Sequence, residues 1–293
     1  MKIATILLGA HIGALSFGLL GLLYVIPNLA RFAADPRAMQ VYVFGMTYAG
    51  SLHILLGAAA MFAYGVAALG WRRTGLFFAF AIPYSLLSEL IGTGTGWPFG
   101  NYAYTNYLGY KVLGHVPFSI PLSWFYLGFA SYVIGSIIAG NMGWTGRART
   151  LLGIGLGVWF LTVWDLVLDP AMAHEAMVIR FWEWGEVGPY MGMPIKNFVG
   201  WSLTGLVFMA LARWSWNEDL DVRSPALRPW FPFTVYTANT VFAMVLAGSV
   251  GLWGAIVLAL VLGIIPATLV LRTPRRRQPT PVPDPAWQPA ASR

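Results

Sequence analysis

The chain has 293 residues, 58% of them hydrophobic and only 10% charged, with a mean hydropathy of +0.65. That excludes an ordinary soluble domain, where about 25% of residues are charged. The absence of cysteine excludes disulfides, thiolate nucleophiles, iron–sulfur clusters and Cys-based zinc sites. The net charge of +7 would suit nucleic acid if it gathered on one face. The basic residues fall instead between apolar runs and in the C-terminal stretch, so membrane topology explains them and no nucleic-acid partner is expected.

Apolar runs long enough to cross about 30 Å of hydrocarbon recur along the chain. We expect spans over 3–26, 44–69, 75–91, 120–139, 150–168, 197–212, 231–248 and 252–271. The last two share one apolar run, divided by the turn-forming Gly248-Ser249-Val250-Gly251. The expected fold class is all-α: a polytopic integral-membrane bundle of about eight helices over 1–271. A basic, Pro-rich and disordered tail is expected over 272–293. The start, Met1-Lys2 before an apolar run, mimics a signal peptide. The run is too long for one and lacks a small-x-small cleavage site, so it reads as an uncleaved first span. Eight spans put both termini on one side, together with Lys2, Arg72, Arg73, Arg147, Arg149, Arg213, Arg223, Arg228 and the tail arginines. Arg31, Arg37, Lys111, Arg180 and Lys196 fall on the other side. The positive-inside rule then makes the termini cytoplasmic, in a bacterial cytoplasmic membrane. Arg275, Arg276 and Arg277 would hold the tail near anionic headgroups. No internal repeat stands out, which argues against a transporter built on inverted repeats.

Polar residues inside these spans carry the functional signal. His11 lies nearer the inner end of span one and His53 nearer the outer end of span two. At 1.5 Å per residue they would sit about 12 Å apart in depth, too far for a bis-histidine haem. Glu89 closes span three. The loop after it, Gly92 to Tyr104, is rich in glycine and aromatics, but lacks the Lys-Ser/Thr and the βα unit of a phosphate loop. Span five reads Trp159 to Pro170 and holds Asp165 and Asp169, four apart and therefore on one helix face. Pro170 is expected to end that helix. The next loop contains Trp182-Glu183-Trp184-Gly185 and Gly188-Pro189-Tyr190 through Pro194. Lys196 and Asn197 open span six. A carboxylate in hydrocarbon costs several kcal/mol unless paired, hydrated or protonated, so Glu89, Asp165 and Asp169 are the candidate catalytic residues. Simpler roles stand beside this: most of the 14 Trp form an interfacial belt, Asp169 satisfies loop amides, Lys196 anchors at the interface, and Glu183 and Glu186 are solvated. His174 could reach the carboxylates, but no HxxxH or similar spacing supports a metal site.

Spans three and five both run outward, so Glu89, Asp165, Asp169 and Lys196 converge with two aromatic loops on one membrane face. Two neighbouring carboxyls do not easily ionise together, which divides them into an acid and a base. A buried acid beside aromatic rings suits protonation of an isolated alkene, with π faces and carboxylate charge stabilising the carbocation. Water capture then gives an alcohol; water exclusion gives cyclisation or isomerisation. Alternatively, Asp165-x-x-x-Asp169 could bind Mg²⁺ and a diphosphate, as in an intramembrane prenyltransferase. A second Asp-rich motif, which that chemistry needs, is missing.

Residues 40 to 215 resemble the CruF-type carotenoid 1′,2′-hydratases, integral-membrane proteins of carotenoid biosynthesis. The resemblance is carried by Glu89 with Gly92 to Tyr104, Leu108-Gly109-Tyr110-Lys111, and Val116-Pro117 through Pro121 and Trp124. It continues in Trp164-Asp165-Leu166-Val167-Leu168-Asp169-Pro170, Trp182 to Trp184, Gly188-Pro189-Tyr190 through Pro194, and Asn197-Phe198-Val199-Gly200-Trp201. It implies cofactor-independent addition of water to the terminal double bond of an acyclic end, as in lycopene or γ-carotene. Some relatives act on the archaeal C50 pathway. Trp97, Phe99, Tyr102, Tyr104, Trp164, Tyr190, Lys196, Asn197 and Trp201 are then expected to bind substrate, with no metal. The polyene would enter sideways from the lipid into an apolar groove between helices. Expected partners are the carotenoid, water, membrane lipids and other carotenoid-pathway enzymes. A non-enzymatic carotenoid-binding or transport protein is the remaining alternative.

Overall fold

Each long apolar run forms a helix, because in lipid the backbone must satisfy its own hydrogen bonds. A computed structural model describes residues 1–217 and 219–272; beyond Arg272, the expected tail lies outside the described residues. Seven helices are long and apolar enough to cross a membrane. They are α1 (Lys2–Arg31), α2 (Pro36–Leu69), α3 (Trp71–Thr95), α4 (Ser119–Asn141), α5 (Gly146–Met172), α6 (Ile195–Trp214) and α7 (Pro225–Ser249). A shorter apolar helix, α8 (Trp253–Thr268), follows the expected turn at Gly251, where φ is +80°. The molecule is thus an all-α membrane bundle. Helix α2 begins eight residues earlier than its apolar run. Asp35 caps it by accepting the Arg37 N–H at 2.9 Å, and Pro36 takes the first position, where its missing N–H costs nothing.

Helix α4 is the hub: 89% of its apolar window is buried, against 17% for α1 at the periphery. Its closest neighbour is α5. A Cβ on Gly135 would lie 2.6 Å from the Gly153 carbonyl oxygen, and one on Gly157 would lie 2.9 Å from the Tyr132 Cα. Lipid tails are as apolar as leucine, so helices associate in membranes by such close packing of small residues.

Contrary to expectation, Pro170 does not end α5, which runs on to Met172. Proline has no N–H to offer the carbonyl four residues earlier. That carbonyl, of Leu166, instead accepts from Tyr190 Oη at 2.9 Å. The same device recurs in α8, where Pro266 frees the Leu262 carbonyl and Trp159 Nε1 donates to it at 3.0 Å.

The outer loops contain four short strands: β1 (Tyr102–Tyr104), β2 (Lys111–Val112), β3 (Val116–Pro117) and β4 (Trp182–Trp184). β2 and β3 form a hairpin. β1 and β4 pair antiparallel across the two long loops, with Tyr102 opposite Trp184 and Tyr104 opposite Trp182. Strand side chains alternate, so these four aromatics face the bundle while Ala103 and Glu183 are exposed. The pairing makes one aromatic lid from two loops that the sequence reading treated separately.

Two stability outcomes follow. Gly157→Leu forces α4 and α5 apart and should cost about 1–3 kcal/mol. Tyr190→Phe strands the Leu166 carbonyl and should cost about 1–3 kcal/mol. Unfolding in detergent measures both, and an unchanged midpoint would refute the corresponding contact.

Candidate active site

Glu89 sits deeper than the sequence suggests. Helix α3 continues to Thr95, which puts Glu89 about 9 Å inside the helix end. It is buried, at 3% exposure, and its carboxylate is surrounded by donors. Tyr102 Oη and Tyr104 Oη both donate to Oε2, the second at 2.9 Å, and Trp124 Nε1 donates to Oε1 at 2.9 Å. Hydroxyls can also accept, but an indole N–H only donates; with three donors aimed at it, Glu89 acts as an acceptor. Burial, reinforced by the Glu89 charge, holds both lid phenols well above the usual tyrosine range, so they stay protonated and keep donating.

Phe99 locks the loop onto the helices. Its ring lies where a Cβ on Gly92 of α3 or Gly200 of α6 would come within 2.6 Å. Only glycine at both positions leaves the slot open. Trp97, the other loop aromatic expected at the site, points away and is 65% exposed. The slot holds one ring, and Phe99 fills it.

Asp165 and Asp169 lie side by side on α5, as their spacing requires. Asn197 Nδ2 on α6 donates to Oδ2 of each, at 3.0 Å for Asp165. The two carboxyl groups neighbour each other closely, an arrangement in which one shared proton is favoured over two charges side by side. Asp165 Oδ1 and the neighbouring Trp164 Nε1 are buried with no hydrogen-bond partner. Asp169 faces a cavity and Asp165 lies behind it. Glu89, Asn197, Trp124, Trp164 and Trp201 line the same cavity, with Phe99 and the four lid aromatics completing its outer wall. Trp124 and Trp201 stack with ring centres 3.9 Å apart, and Trp164 meets Trp201 edge-on at 5.7 Å. The arrangement juxtaposes a proton-sharing pair, an acceptor carboxylate and indole faces.

Two other expected site residues lie outside the cavity. Lys196 pairs with Glu186 at 2.7 Å. Glu186 also accepts the Asn101 N–H at 2.8 Å, and the Lys196 hydrogen bond, with that of Asn101, holds it below the usual carboxylate range. This bond staples the two loops at the rim and is not a counter-ion to the buried acids. Tyr190 packs edge-on against Phe198 at 5.0 Å and serves the α5 backbone; burial, with Asp165 adding to it, pushes its hydroxyl up to about 12. His174 accepts the Ala176 N–H at 3.1 Å within its own turn.

The opposite cavity wall was missed. His53, Ser123, Tyr126 and Asn239 line it. Tyr126 Oη donates to Asn239 Oδ1 at 2.8 Å; Asn239 Nδ2 meets His11 Nε2 at 3.0 Å; His11 Nδ1 meets the His53 carbonyl at 2.7 Å. The two histidine rings are 6.4 Å apart, well short of the depth-based separation, which treated the ends of α1 and α2 as level. The readable signal was Asn239, the one side-chain amide in an otherwise largely apolar span. Among the described residues, no three His, Asp or Glu side chains are grouped to hold a metal ion.

Residues 49–266 match a family described as carotenoid biosynthesis protein. Over 200 residues the chain is 32% identical to bisanhydrobacterioruberin hydratase of Haloarcula japonica, covering 68% of this chain and 62% of that protein. The chain thus spans under two thirds of the length of the relative it matches. No solved structure matches the chain. Glu89, Trp124, Asp165, Asp169, Asn197 and Trp201 all fall inside the family segment. With the whole acid-and-indole cavity inside the matched region, the chain belongs to the carotenoid biosynthesis protein family.

Proposed function

We propose that this protein is a carotenoid hydratase. It adds water to the terminal double bond of an acyclic carotenoid end, of the lycopene or γ-carotene type, and yields a tertiary 1′-alcohol. The observation that carries the reading is the cavity in which Asp169, backed by Asp165, and Glu89 face stacked indoles. The hydratase name of the Haloarcula japonica relative supports it.

In the proposed reaction, Asp169 delivers the pair's proton to C2′ because it, and not Asp165, lines the cavity. Positive charge develops at C1′, where the faces of Trp124, Trp164 and Trp201 stabilise it. The water oxygen bonds to C1′ and gives up one proton to Glu89. Oε1 of Glu89 takes it, since only Trp124 Nε1 donates to that oxygen. The proton then returns to the aspartate pair. Atoms balance as one water added, and the step is redox-neutral. Asn197 keeps the two aspartates together, and the lid phenols keep Glu89 an acceptor. The substrate comes from the bilayer; pathway enzymes that make and use such polyenes are the proposed neighbours.

Purified protein given lycopene in heavy-oxygen water should form an alcohol that carries the label. Asp169→Asn should lower that rate by about 10²–10⁴-fold, the usual worth of a general acid, and Glu89→Gln should fall in the same range. Full activity in Asp169→Asn would sink the acid assignment. Wild-type turnover should survive chelation of divalent cations, whereas Mg²⁺-dependent diphosphate chemistry through Asp165 and Asp169 would stop.

A further inference from the structure

A second, larger cavity runs between α1 and α2 and is lined almost wholly by apolar side chains. His53, Met172 and Phe242 line both it and the acidic cavity. The two spaces therefore meet at a collar of three side chains. Along α1 the groove extends from Ala14 to Ile26, about 18 Å of helix. Its outer edge is exposed: Phe17 is 37% and Leu20 56% accessible on the poorly buried α1, so the groove opens toward lipid.

The helices are built to make this space. Each has one π-helical turn, Gly21–Val25 in α1 and Gly45–Ala49 in α2, and both turns line the groove. Such turns are rare, widen the helix locally and recur at functional sites. Gly18, Gly21 and Gly45 add no side chain to the groove walls. A Cβ at Gly21 would meet nothing within 4 Å, and one at Gly18 only Phe242 Cε2 at 3.8 Å. The end of the second π turn positions the collar, because the Ala49 carbonyl accepts from His53 Nδ1 at 3.0 Å. Tyr42, His53 and Tyr107 are the polar side chains among the lining residues and the rest of the wall is apolar, so a long, thin, unsaturated hydrocarbon fits its shape and its exit into lipid.

We propose that the α1–α2 groove is the binding site for the conjugated polyene chain of the substrate, with its bore set by the glycines at 18, 21 and 45. The ligand's identity rests on the hydratase reading; the groove itself does not. The terminal end group passes the His53–Met172–Phe242 collar into the acidic cavity. The chain fills the groove, and the far end of the molecule stays in the bilayer, outside the protein's reach.

The test fills the groove with substitutions away from the acidic cavity and reads binding in a background where turnover is silenced. Lycopene is titrated into Asp169→Asn protein, with and without Gly21→Trp, and binding is followed by circular dichroism induced in the visible polyene band. Water addition to lycopene and to a short isoprenoid carrying the same terminal dimethyl alkene is measured for wild type, Gly21→Trp and Gly18→Leu. The groove predicts at least a tenfold loss of lycopene affinity and turnover in Gly21→Trp, with turnover of the short substrate kept within twofold. Unchanged lycopene affinity in Gly21→Trp overturns it. So does an equal loss for both substrates in both groove variants, or a phospholipid retained in the groove by native mass spectrometry while lycopene is excluded. Lycopene bound by wild type without gain of water would overturn the hydratase reading and leave the groove standing.

Discussion

A polar group inside a membrane bundle has no water to fall back on, and nearly every feature of this structure answers to that constraint. Prolines in α5 and α8 each strand one carbonyl, and a Tyr or Trp from another segment takes it. Glu89 collects three donors from one strand and one helix. His11 is satisfied at both nitrogens. Among the described residues five buried polar side-chain atoms lack a partner, and two of them, Asp165 Oδ1 and Trp164 Nε1, belong to consecutive residues. Unsatisfied groups of this kind ask for an explanation; Trp164 lines the acidic cavity and Asp165 stands just behind it.

The same constraint joins the lid to the chemistry. Tyr102 and Tyr104 belong to the lid strand yet spend their hydroxyls on Glu89. Hydrogen bonds to a charged group are worth about 1.5–3 kcal/mol each. Lifting the lid would break two of them and leave a buried carboxylate with one donor. The rim staple between Lys196 and Glu186 is half exposed and adds little beside that. The lateral route proposed for the substrate would avoid that cost, because the collar residues His53, Met172 and Phe242 donate nothing to Glu89 or the aspartates. A lid held shut by the acid site and a groove that leaves the acid site's bonds alone are two sides of one arrangement.

The helices and the three acids were readable because both are written in local pattern: apolar runs of the right length, and charge where hydrocarbon forbids it. The start of α2 was written locally too, in Asp35-Pro36, but an apolar-run criterion overlooks a capped amphipathic extension. The lid was half-written. Tyr102-x-Tyr104 and Trp182-x-Trp184 each alternate with period two, yet their pairing spans some eighty residues. What could not be read was choice among equals. Trp97 and Phe99 sit in the same loop, and only the facing glycines at 92 and 200, on different helices, decide which ring goes in. Lys196 could have met any of several carboxylates; loop geometry gave it Glu186. Tyr190 belongs to a resembling motif, but its partner is a carbonyl freed by Pro170, and backbone vacancies leave no mark on side-chain chemistry.

Hydrogen-bond bookkeeping also separates the acids that the sequence left equivalent. Glu89 is met by three donors and needs no proton of its own to satisfy them. The aspartate pair is met by one amide nitrogen from Asn197, less than two neighbouring negative charges need, which favours one proton shared between its members. Acid and base are thus sorted by what each is offered, on helices α5 and α3, across a cavity walled by indoles. Within the pair, position decides the rest. Asp169 faces the cavity and Asp165 stands behind it, so in the proposed reaction the proton that leaves is Asp169's, and the one Glu89 takes from water returns to the pair across the same cavity.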